Sequence, residues 1–301
     1  MSEDIRLSHR GKIIKELVGL FNKNENLRNK FSAGGENPIA EKEYKYSDSY
    51  EVEYIQLQSC KAELIKPIEN PSNWLIIQLH GGGYVGGLKN SYRNLSTLYS
   101  EAGNGAAVLS VDYRLAPENV FPAALEDALS AYEWAIGRGY TEENIILAGD
   151  SAGGGLGLSL CHYLKAEGIE LPKAVIVMSP WTDLTGSGAS YKDNVEIDPV
   201  FGSRPEVVIG SSYVGDDRAD NPYISPMFGD FTDFPKLLIQ VGTEEMLLSD
   251  SQTVRDKAVA AGVDVRYSEY KGMFHVFQMA GKLIPESKRA WEEIKSFIDE
   301  L

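Results

Sequence analysis

Residues 147–155 read LAGDSAGGG, which sets Ser151 between Gly149 and Gly153 with Asp150 beside it. Such a glycine run can cradle a phosphate, loosen a loop, or hold one hydroxyl where ordinary backbone cannot reach. A phosphate loop closes on Gly-Lys-Ser/Thr, and no lysine follows these glycines. The preceding NIILAGD has strand composition. AGGGLGLSLCHYLKAEG has helical spacing, with Leu156, Leu160, Tyr163 and Leu164 on one side. Ser151 therefore falls at a strand-to-helix turn in the pattern G-x-S-x-G. Side chains two residues either side would collide in so tight a turn, so glycine is required there. The serine backbone is strained, its Oγ projects beyond the sheet edge, and the helix N-terminus behind it favours negative charge.

A second glycine loop, HGGGY (His80–Tyr84), follows the apolar run WLIIQL. Loops of this type supply half of an oxyanion hole, because glycine lets backbone N–H groups approach a substrate closely. Gly82 and Gly83 would offer two donors and Ala152 N–H a third. One such donor contributes about 3 kcal/mol of transition-state stabilisation. A rival reading uses the same residues. GGGYVG (81–86) matches G-x-G-x-x-G after a strand, and Asp112 ends the next strand where a ribose-binding acid would stand. That fingerprint should open a helix directly, whereas GLKNS intervenes here. A nicotinamide-dependent oxidoreductase is thus the weaker alternative.

An elbow serine needs a histidine base and a carboxylate to orient it, in the chain order serine, acid, histidine. Of the four histidines, His9 and His80 precede Ser151, and His162 lies about three turns into the following helix. His275, in KGMFHVFQ, remains. The acid should follow KLLIQVG, where Glu244, Glu245 and Asp250 are near. Asp250 reads as the cap of the helix beginning SQTVRDKA. Neighbours on extended chain face opposite ways, so only one of Glu244 and Glu245 can reach His275. Residue physics leaves these two tied.

The elements that must position these groups alternate from about residue 51. Strand-like runs (EVEYIQL, WLIIQLH, AAVLSVDY, NIILAGD, KAVIVMS, KLLIQVG, VDVRYSEY) are separated by helical patterns such as residues 122–139. Several runs are apolar throughout, as strands buried on both faces must be. The alternation predicts an α/β fold with a mostly parallel central sheet and helices on both faces. Residues 5–32 form an amphipathic helix pattern, with Ile13, Ile14, Leu17, Leu20 and Phe21 on one side. Residues 186–215 are rich in Gly, Ser and Asp and break the sheet rhythm. Both should lie over the carboxyl ends of the strands, where ligands bind in such sheets.

Composition narrows the partners. The 301-residue chain carries 44 Asp+Glu against 29 Lys+Arg, a net charge of −15 with no basic cluster, which argues against nucleic acid and anionic membrane surfaces. No apolar run approaches the about 20 residues of a membrane span. Cys60 and Cys161 have no zinc-ligand spacing and read as two buried thiols in a reducing compartment. MSEDIRLSHR has no apolar signal core, so a cytoplasmic location is expected.

HGGGY, VDYRLAPE (111–118), FPAALEDA (121–128), GDSAGG (149–154), SPWTDLT (179–185) and HVFQ (275–278) together resemble the bacterial hormone-sensitive-lipase-like esterases of the GDSAG subgroup. The resemblance runs from about residue 74 to the C-terminus. It implies an α/β-hydrolase core under a helical cap, carboxylic-ester hydrolysis, no metal or cofactor, and pairing of two copies through the sheet edge near the C-terminus. It divides the chain into a cap segment (1–45), a first core part (46–185), a second cap segment (186–215) and a second core part (216–301). The family's acid motif reads D-P-L. EML stands in that place here, so the resemblance favours Glu245, with glutamate for aspartate and methionine for proline. Asp112, Arg114 and Glu118 match family positions and read as buried or semi-buried charges that brace the loops under the active site, and Asp150 reads as a hydrogen-bond acceptor that holds a loop. The plant gibberellin receptors resemble the same group but lack the catalytic histidine, which is present here as His275. The expected pocket lining is Trp181, Phe201, Met273 and Phe274, with the helix face around Phe21. A small-molecule ester of short to medium acyl chain is the expected substrate, with an amide or formamide on the same triad as the alternative.

Overall fold

Leu75–Leu79, Ile145–Asp150 and Ala174–Met178 are buried at every position, as strands enclosed on both faces must be. The computed structural model describes residues 7–25, 41–208 and 211–301. Its sheet comprises β1 (Tyr50–Gln56), β2 (Lys61–Pro67), β3 (Leu75–Leu79), β4 (Ala107–Asp112), β5 (Ile145–Asp150), β6 (Ala174–Met178), β7 (Lys236–Gly242) and β8 (Val265–Tyr270). The order is β1-β2-β4-β3-β5-β6-β7-β8. β2 runs antiparallel to both neighbours, and the other pairs are parallel.

The helices are α1 (His9–Lys23), α2 (Asn90–Ala102), α3 (Ala123–Gly137), α4 (Ser151–Ala166), the single turn α5 (Ser190–Asp193), α6 (Leu248–Ala260) and α7 (Pro285–Asp299). Alternate residues of each strand serve opposite faces. Ile77, Leu147, Val175 and Ile239 pack with Ala128 of α3, Leu156 and Leu160 of α4 and Val254 of α6. Ile76, Ile146, Ile176 and Leu238 pack with Leu95 and Tyr99 of α2 and Ile294 and Phe297 of α7. The mostly parallel sheet with helices on both faces that the alternation predicts is therefore present.

Two local expectations change. β2 is absent from the sequence reading, because KAELIKP interleaves Lys61, Glu63 and Lys66 with its apolar residues and ends in proline. Its Glu63 is held by Arg93 of α2, at 2.8 Å from Nε to Oε2. In α1 the inward stripe is narrower than expected. Ile14, Val18 and Phe21 face a cavity, whereas Ile13, Leu17 and Leu20 are 43%, 55% and 66% exposed. A helix laid over a groove covers it with one stripe at i, i+4 and i+7 only. Residues 26–32 of the expected helix lie outside the described residues.

Polar contacts seat α1. Ser8 caps it by accepting from Gly11 N at 2.9 Å, and its Oγ donates to Glu286 of α7 at 3.0 Å. Asn22 Nδ2 donates to Pro199 O at 3.2 Å, and Lys15 pairs with Glu244.

Candidate active site

The loops that follow β3, β5, β6, β7 and β8 carry the candidate residues to one edge of the sheet. Ser151 opens α4 with φ +50°, a left-handed conformation rare for a residue with a side chain, and is 7% exposed. The flanking glycines have a steric reason. A Cβ on Gly149 would lie 2.5 Å from Gly153 O, and one on Gly153 would overlap Leu79 O of β3. The helix thus begins against the neighbouring strand with no room for a methyl group. Trp181 N donates to Ser151 O at 2.8 Å.

The histidine and a carboxylate meet. His275 Nδ1 donates to Glu245 Oε2 at 2.8 Å, and Glu245 is fully buried. A carboxylate can only accept, so the Nδ1 proton is fixed and Nε2 is left as the basic nitrogen. The other carboxylate oxygen, Oε1, accepts from Ser179 Oγ at 2.8 Å and from Gly242 N at 2.6 Å. Glu244 faces the other way, toward Lys15 of α1. Of the two glutamates, Glu245 is the one that reaches His275. Asp250 is not a helix cap. It lies inside the first turn of α6, fully buried, and accepts from Thr182 N at 2.8 Å and Asp183 N at 2.9 Å. Burial pushes its carboxyl well above the usual range.

His80 and His162 are buried away from this pair, and His9 is exposed on α1. His80 stacks on Tyr113 with ring centroids 4.1 Å apart, and burial lowers its pKa to about 4. His162 Nε2 donates to Pro226 O at 3.0 Å and packs against Phe231 and Phe234.

The glycine loop turns with φ +116° at Gly82 and +65° at Gly83, and Gly86 N donates back to Gly82 O at 2.9 Å. Helix α2 opens only at Asn90, so the loop lacks the strand–loop–helix geometry of a dinucleotide fingerprint. Asp150 holds this loop by accepting from Gly81 N at 3.2 Å. Its carboxyl is raised to about 7, chiefly by burial, with the His275 charge and the Gly81 hydrogen bond pulling the other way. Arg114 braces the next loop, with Nε 3.0 Å from both oxygens of Asp127. Glu118 and Asp112 are exposed rather than buried.

A cavity of about 700 Å³ unites these parts. Gly82, Gly83, Asp150, Ser151 and His275 line it, together with Trp181, Phe201 and Phe274 of the expected pocket set. Ala152, buried in the first turn of α4, follows Ser151 directly. Met273 is a correction. It is fully buried and packs among Tyr270, Phe277 and Ile284, with its carbonyl accepting from Glu244 N at 2.9 Å. Side chains on adjacent residues of an extended loop diverge, so Phe274 reaches the cavity and Met273 the core. The sequence pattern did not reveal Val200, Val207 and Val208 in residues 186–215, nor Met279 and Leu283 near the C-terminal helix, as cavity lining. Isolated apolar residues in irregular loops carry no periodic signal. Asp198 ties that stretch to the loop after β7: Oδ1 accepts from Phe201 N at 2.9 Å and Oδ2 from Met246 N at 2.7 Å, beside Glu245. Among the described residues no His/Cys/Asp/Glu group could hold a metal ion, and no helix is long and apolar enough to cross a membrane.

Comparison with known proteins gives a consistent picture. A family described as the alpha/beta hydrolase fold matches residues 76–279. An acetyl-hydrolase of Streptomyces hygroscopicus is 37% identical over 244 residues, covering 81% of each chain. A solved esterase from the bacterial hormone-sensitive lipase family is 30% identical with TM-score 0.85, covering 100% of this chain and 99% of its own. A crystal of the esterase EstE5 soaked with p-nitrophenyl butyrate is 32% identical with TM-score 0.85, covering 97% and 98%.

Proposed function

The chain belongs to the α/β-hydrolase family as a hormone-sensitive-lipase-like member, and from that premise we propose that it is a carboxylic ester hydrolase acting through Ser151, His275 and Glu245. One observation carries the reading: a strained elbow serine shares an apolar cavity with a histidine whose Nδ1 lies 2.8 Å from a buried glutamate.

His275 Nε2 takes the Ser151 proton as Oγ attacks the ester carbonyl. Glu245 stays ionised, holding the tautomer and stabilising the imidazolium. The carbonyl electron pair moves onto oxygen, where Gly82, Gly83 and Ala152 N–H groups receive it in a water-poor site. Collapse of this intermediate expels the alcohol, protonated by His275. Water then attacks the acyl-enzyme with the same histidine as base, and the acid leaves.

The cavity wall sets the substrate class. Phe201, whose ring centroid lies 4.6 Å from that of His275, stands with Trp181, Val208 and Phe274 around the reacting centre. Such a wall favours acyl chains of short to medium length, below about ten carbons, since the volume is that of an ordinary small-molecule site. Each methylene buried is worth about 0.8 kcal/mol, so kcat/KM should rise up to about fourfold per carbon until the cavity is full. A p-nitrophenyl ester series from acetate to palmitate tests this. The expected profile peaks and then falls before about ten carbons; undiminished turnover of palmitate would overturn the size reading. An anilide of the preferred acid should turn over far more slowly, and faster anilide cleavage would move the assignment to amidase.

A further inference from the structure

We propose that Ser179 is a positioning residue for hydrolysis, its single hydroxyl fixing the Glu245 carboxylate and the His275 loop in one register. The inference rests on the triad reading above. Ser179 Oγ donates to Glu245 Oε1 at 2.8 Å and accepts from Val276 N at 3.1 Å. It therefore joins the acid to the residue that directly follows the histidine. No other side-chain hydroxyl hydrogen-bonds that carboxylate among the described residues. Gly242 N is the other donor to Oε1, and it comes from the acid's own strand end.

The backbone supports the assignment. Ser179 has φ +49° and Val276 φ +50°. Glycine would adopt either conformation with least cost, and a β-branched valine is a costly choice. A serine at the first position and an N–H held by that serine at the second are what keep the two loops in contact. Ser179 N donates to Gln240 O of β7 at 2.7 Å, anchoring the hydroxyl to the sheet. Two residues on, Trp181 N donates to Ser151 O. The short segment 179–181 after β6 thus reaches the backbone of the nucleophile, the carboxylate of the acid and the loop of the base. Ser179 is fully buried, so solvent cannot replace its hydroxyl without a rearrangement.

Ser179→Ala and Ser179→Gly remove the hydroxyl, and the glycine variant also relieves the left-handed backbone should the alanine variant fail to fold. The expected result is a loss of kcat of about 10- to 100-fold with KM changed less than about twofold, by analogy with the loss seen when the hydrogen-bond partner that orients a metal-ligating side chain is removed. A residue acting through Glu245 loses its leverage once Glu245 is altered. The same substitution made in a Glu245→Gln background should therefore cost less than about threefold in kcat, since coupled residues are non-additive. An equal fold-loss in both backgrounds, a loss confined to KM, or kcat within about threefold of the parent would overturn the proposal. Ser151→Ala measured alongside separates the two levels. If it retains esterase activity, the triad reading itself fails. If it is inactive while Ser179→Gly is normal, only the role of Ser179 fails.

Discussion

Asp150 offers the sharpest quantitative test, because it is a carboxyl buried directly before the nucleophile. Its pKa is raised from 3.8 to about 7, mainly by loss of water. The folded protein thus holds this proton more tightly than the unfolded chain, and the associated stability is fully present below about pH 4 and lost as pH rises through 7. Each tenfold difference in proton affinity is worth about 1.4 kcal/mol, so the full effect is about 4 kcal/mol, of which about 2.5 kcal/mol falls between pH 5 and 8. Asp150→Asn keeps an acceptor for Gly81 N but cannot ionise. Urea unfolding of both proteins at pH 5 and pH 8 should therefore show the variant gaining about 2.5 kcal/mol on the wild type over that interval. Parallel stability curves would refute the reasoning, since they would mean that the carboxyl is not forced to ionise in a dry site.

Glu245→Gln should lower kcat by about 10³- to 10⁴-fold by releasing the histidine tautomer. Glu244→Gln should cost less than about fivefold, because it loses only a partly exposed ion pair with Lys15; steady-state kinetics on one ester decides, and the reverse ranking would reassign the acid. Lys15→Met frees the α1 wall of the cavity from the acid loop, so KM should rise up to about fivefold with kcat unchanged. That difference should fade at 1 M salt, where the Debye length is about 3 Å. A salt-independent KM would show that the pair does not seat α1.

The sequence carried the core because buried parallel strands leave unbroken apolar runs, as in LIIQL and AVIVM. It also pointed to Ser151, since G-x-S-x-G at a strand-to-helix junction fits a tight elbow, and the structure leaves no room for a Cβ at 149 or 153. The choice between Glu244 and Glu245 was beyond residue physics, because loop geometry after β7 decides which carboxylate turns inward. Met273 and Phe274 were indistinguishable for the same reason. β2 escaped notice because its charges face solvent and Arg93 between short apolar stretches. Ser179 stands in the motif SPWTDLT, but nothing local shows its role, which lies in two contacts with residues 66 and 97 positions away.

Mass spectrometry after treatment with an organophosphonate ester identifies the nucleophile and its dependence on the base in one experiment. One covalent adduct is expected, on Ser151, formed rapidly by the wild type and lost or greatly slowed in His275→Ala. An adduct on another residue, or undiminished labelling of the histidine variant, would contradict it.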